Sequence, residues 1–65
     1  MNKPNAENCL SAARKYRHDF YFFRQKWERF KHQNNEIAAR AVYEKMVLAL
    51  DKAVFLTKTA EKLAH

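Results

Sequence analysis

Sixty-five residues carry 13 Lys and Arg against 7 Asp and Glu, a net charge of +6, with no glycine, one proline and one cysteine. A chain this short makes one domain at most, and with a lone cysteine it has no internal disulfide to staple it. The absence of glycine, and of proline after Pro4, leaves little material for the tight turns of a multi-stranded sheet, while 48% hydrophobic residues is too many for a disordered segment.

The stretch Met1 to Asn8 is polar and lacks the apolar core of a secretory signal. Together with the unpaired Cys9 it predicts a reducing, cytoplasmic setting. No uncharged run approaches the roughly 20 residues that span a bilayer, so no membrane is expected among the partners.

The first predicted element runs from about residue 6 to residue 32. Its apolar positions are Ala6, Cys9, Ala13, Tyr16, Phe20, Phe23, Trp27 and Phe30. The steps alternate three and four without a miss, which makes a helical seam and not a strand. Asn5 is placed to cap its start, with Glu7 in the first turn where the helix dipole favours an anion. Arg29, Lys31 and His32 fall in the last turn, where cations are favoured.

A polar break follows at residues 33–35. Asn34 is the residue best suited to take the left-handed conformation that ends a helix when no glycine is present. Asn35 is placed to cap the next helix, with Glu36 directly after it.

The second helix is predicted over about residues 36–63. Its seam is Ala39, Val42, Met46, Ala49, Ala53, Leu56, Ala60 and Leu63, again in steps of three and four. Folding the chain back at Asn34 and Asn35 pairs residues whose numbers add to 69. Trp27 then meets Val42, Phe23 meets Met46, Phe20 meets Ala49, Tyr16 meets Ala53, and Ala13 meets Leu56. Large residues meet small ones in most layers, which is how facing helices interdigitate without voids. The fold class is therefore all-α: a two-helix antiparallel hairpin forming a single domain.

The surfaces left free set the functional expectations. On the second helix Tyr43, Val47, Leu50 and Val54 form an apolar stripe beside the seam, and Leu48 and Phe55 lie farther round with Ile37. A helix apolar over most of its circumference is usually covered on several sides. These residues are the expected interface, either for a homodimer giving a four-helix bundle or for a different protein; the alternative is a monomer with an apolar surface. On the first helix Arg14, Arg17, Tyr21, Arg24 and Lys31 form a basic outer face. Residues 1–32 hold eight basic and three acidic side chains, against five and four in residues 33–65. That asymmetry suits an acidic protein or a nucleic acid; an ordinary solvated face is the plain alternative. Phosphates would pair with the arginines, and Tyr21 and Phe22 are free to stack on bases.

Nothing points to catalysis. A two-helix hairpin brings no set of titratable groups together in a deep pocket. Asp19 and Glu28 stand four residues after Lys15 and Arg24, the spacing of exposed ion pairs. Glu28 and His32 share a face, but two ligands do not make a metal site; His18 and His65 lack a partner at helical spacing. Cys9 reads as a small buried hydrophobe. No catalytic, cofactor or metal residues are assigned. The first helix alone would suit a membrane surface or calmodulin, but the second offers its apolar face a matched home. The expected function is a non-enzymatic interaction protein, of adaptor, chaperone or inhibitor type, offering apolar stripes and basic charge to an acidic partner. The alternative is a nucleic-acid-binding regulatory hairpin that uses the basic face of the first helix.

Overall fold

The computed structural model describes residues 5–64. Two helices, α1 (Ala6–His32) and α2 (Glu36–Ala64), pack against each other, and no strand occurs among the described residues.

The asparagines set the ends. Asn5 is extended (φ −128°, ψ 169°), and its side chain accepts from the Asn8 N–H at 2.7 Å. At the far end Asn34 has φ 57°, the left-handed conformation that Asn tolerates better than other non-glycine residues. The Asn34 N–H donates to the Lys31 carbonyl at 3.1 Å, and the Asn35 N–H reaches back to the Phe30 carbonyl at 2.9 Å. This paired closure satisfies carbonyls that the helix end would otherwise orphan. The Asn35 side chain then accepts from the Ala38 N–H at 3.2 Å, so the residue that completes the close of α1 also caps α2. Three residues suffice to reverse the chain.

The core runs along the predicted seams. Its buried members are Cys9 and Ala13 on α1 and Ala39, Met46, Ala49, Ala53 and Ala60 on α2. Two cross-helix contacts locate the register. Trp27 and Tyr43 stack at 6.2 Å between ring centroids, and the Lys52 ammonium lies 5.3 Å from the Tyr16 ring. Their residue numbers add to 70 and 68, on either side of the predicted 69.

The large seam residues are less covered than a core requires. Tyr16, Phe20, Phe23, Trp27 and Phe30 are only half-buried, and Leu63 is exposed. The cause is geometric. The molecule measures 46 × 18 × 13 Å, and its thinnest dimension is close to the diameter of one helix with its side chains. A single layer covers each helix from one side, and a ring longer than that contact projects past it. The radius of gyration, 14.7 Å, exceeds the roughly 11 Å of a compact chain of this length.

Candidate interaction face

Heptad arithmetic places the outer side chains. Arg17, Arg24 and Lys31 each follow a seam residue of α1 by one position, and Tyr43, Leu50 and Thr57 do the same on α2. In an antiparallel pair these two rows lie on one side of the contact. The structure brings them together: an Arg17 guanidinium N–H donates to Thr57 Oγ1 at 3.1 Å, and that hydroxyl donates in turn to the Ala53 carbonyl at 2.8 Å.

Two shallow concavities lie along the same side. One, of about 260 Å³, is lined by Arg17, Leu50, Ala53, Val54, Thr57, Lys58 and Glu61. The other, of about 330 Å³ near the turn, is lined by Trp27, Lys31, Glu36, Ala39, Arg40 and Tyr43. In both, a buried alanine of α2 forms the floor. Cations of α1 and apolar side chains of α2 thus share walls. Arg17 and Lys31 of the basic face stand on the same side of the hairpin as Tyr43, Leu50 and Val54 of the apolar stripe. The signal was present in the heptad positions, which needed only to be followed across the hairpin.

Arg14 and Tyr21 are exposed on α1, with Tyr21 held edge-on against Phe20 at 5.5 Å. Arg17 reaches across to α2. Arg24 pairs with Glu28 at 3.4 Å, both side chains more than half exposed, an arrangement of small energetic weight. The Lys15–Asp19 pair does not form. The Lys31 ammonium lies 6.0 Å from the Trp27 ring. On α2 Tyr43, Leu50 and Val54 are exposed and Val47 is half-buried.

Leu48 and Phe55 do not belong to this face. Phe55 lines a separate concavity of about 400 Å³ with Tyr16, Asp51, Lys52 and Leu56, on the other side of the helix contact. Leu48, one helical repeat before Phe55, falls on that same side, and Ile37, 87% exposed, points away from α1. Phe22 is there too, packed against Phe23 and covered by the Lys26 ammonium at 4.5 Å.

Among the described residues no three metal-ligating side chains cluster. Glu28 and His32 line one concavity with Trp27 and Lys31, and His65 lies outside the described residues. Cys9 is buried. No helix among the described residues is long and apolar enough to cross a membrane. No family model, no curated protein and no solved structure matches the chain.

Proposed function

We propose that this chain is a non-enzymatic interaction protein, of adaptor, chaperone or inhibitor type, whose partner is an acidic protein docking on the face shared by α1 and α2. The observation that carries this reading is the joint wall of Arg17, Leu50, Val54 and Thr57. Apolar area supplies affinity while cations set partner choice and approach rate. A face with both suits a protein better than a nucleic acid, whose phosphates would use the arginines and leave Val47, Leu50 and Val54 uncovered. The lone cysteine is in keeping with a cytoplasmic setting.

Two copies pairing into a four-helix bundle would compete for the same stripe. Stacking two such faces sets the arginine row of one copy against either the arginines or the apolar stripe of the other. Both arrangements leave the arginine row with fewer acids than cations facing it, since the face carries only Glu28, Glu36 and Glu61, so an acidic partner ranks first. The nucleic-acid reading keeps one observation in its favour: Tyr21 stands 59% exposed among Arg14, Arg17 and Arg24.

Co-purification of the untagged protein from its own cells, with mass spectrometry and absorbance at 260 nm on one sample, tests the reading. The expected result is an acidic protein whose recovery falls with both Arg17→Glu and Leu50→Glu. Nucleic acid lost with Arg17→Glu and kept with Leu50→Glu would replace this reading with the alternative.

A further inference from the structure

Resting on the acidic-partner reading, we propose that the occupant is one amphipathic helix of the partner, acidic along one flank, laid along the groove between α1 and α2 to complete a three-helix bundle.

Four observations lead there. The hairpin is one layer thick and leaves the large seam rings partly exposed; a helix set in the groove covers both walls at once. Each of the two concavities has a small buried residue at its base, Ala39 in one and Ala53 in the other, with the buried Met46 between them in the same seam row. Small floor residues let a third backbone approach to helix-packing distance, roughly 8–10 Å between axes. The chain exposes 5677 Å², whereas a compact monomer of this length exposes about 4,400 Å². The excess belongs to the elongated single layer, and a third helix on one face would cover part of it.

Charge then fixes the pattern of the occupant. Between Arg14 and Lys31 the α1 wall carries four cations and one acid; Arg24 and Glu28 pair with each other, which leaves Arg14, Arg17 and Lys31 as the excess positive charge. From Tyr43 to Thr57 the corresponding rows of α2 carry no charge. The matching surface is apolar toward α2 and acidic toward α1. A helix presents that pattern as two adjacent stripes along its length. An extended segment alternates its side chains to opposite sides and would turn half of them to water. The apolar row from Tyr43 to Val54 spans about 16 Å, so three to four turns suffice.

The test measures affinity for designed peptides at about 50 mM salt. One 20-residue helical peptide carries a leucine stripe with glutamates beside it. A second has the same composition with the glutamates moved opposite the leucines. A third carries two central prolines, and a 20-base-pair RNA duplex is the fourth probe. The first peptide is expected to bind roughly tenfold tighter than the second, as a few partly exposed ion pairs supply, and the third to bind weakly or not at all. Arg14→Gln, at an exposed position that leaves the fold intact, should weaken the first peptide severalfold, and Leu50→Ser with Val54→Ser should abolish its binding. Circular dichroism of each variant reads folding separately. Equal binding of the first and third peptides overturns the helical occupant while the acidic-partner reading stands. Equal binding of the first two, or binding indifferent to Leu50 and Val54, overturns the two-wall groove. Binding of the RNA alone, or of no probe, overturns both.

Discussion

At the scale of single residues, size pairing across the seam and the asparagines of the turn decide the hairpin. Phe20 is placed against the buried Ala49, but it is itself only half-buried. Phe20→Ala is therefore expected to cost about 2 kcal/mol, below the roughly 3–5 kcal/mol of a fully buried phenylalanine. Ala49→Phe overpacks the same layer. The double exchange should recover part of the loss; denaturant melts of the four proteins read the coupling, and strictly additive effects would move the register. Asn35→Ala should cost about 1 kcal/mol through its lost cap bond to Ala38. These residue roles were legible in the sequence, because Asn5, Asn34 and Asn35 stand at the helix ends with the chemistry for capping and left-handed turns. The half-burial of the aromatics was not legible. Heptad spacing says which way a side chain points and nothing about how many layers cover it.

Each helix also has an outside, and its arrangement depends on the partner helix as well as on its own spacing. The seams of α1 and α2 hold the buried set with Cys9, Ala13 and the four alanines as expected, because their three-four spacing admits one face only. Spacing along one helix at a time separates the arginines from the apolar stripe and leaves Leu48 and Phe55 with Tyr43 and Leu50 as one apolar set. Antiparallel pairing sorts them differently: Leu50 falls beside Arg17, and Phe55 falls beside Tyr16. A matched pair of substitutions separates the two sides. Leu50→Glu is expected to lower affinity for the acidic helical peptide at least tenfold with helicity retained, since Leu50 is already 42% exposed. Leu48→Glu should leave that affinity within a factor of two. Peptide titrations followed by anisotropy measure both, and the opposite order would assign the interface to the other side.

For the whole molecule, a single helical layer with no buried charged or polar residue among those described has little to hold it beyond one thin seam. Its stability should thus rise with occupancy: a partner at a hundred times its Kd adds about 2.7 kcal/mol, visible as an upward shift of the thermal midpoint. Self-association through the same face is expected to be weak at low salt and to tighten as salt screens facing arginines; sedimentation equilibrium reads that trend, and a tight dimer at low salt would assign the face to a second copy. Amide NMR spectra of the labelled chain titrated with the flank-acidic peptide show whether basic α1 and apolar α2 form one docking face. Shifts are expected to cluster on both helices, at Arg14, Arg17, Tyr21 and Arg24 and at Tyr43, Val47, Leu50 and Val54, while Phe22, Leu48 and Phe55 stay silent. Shifts confined to α1, or centred on Phe55 and Leu48, would contradict a single docking face.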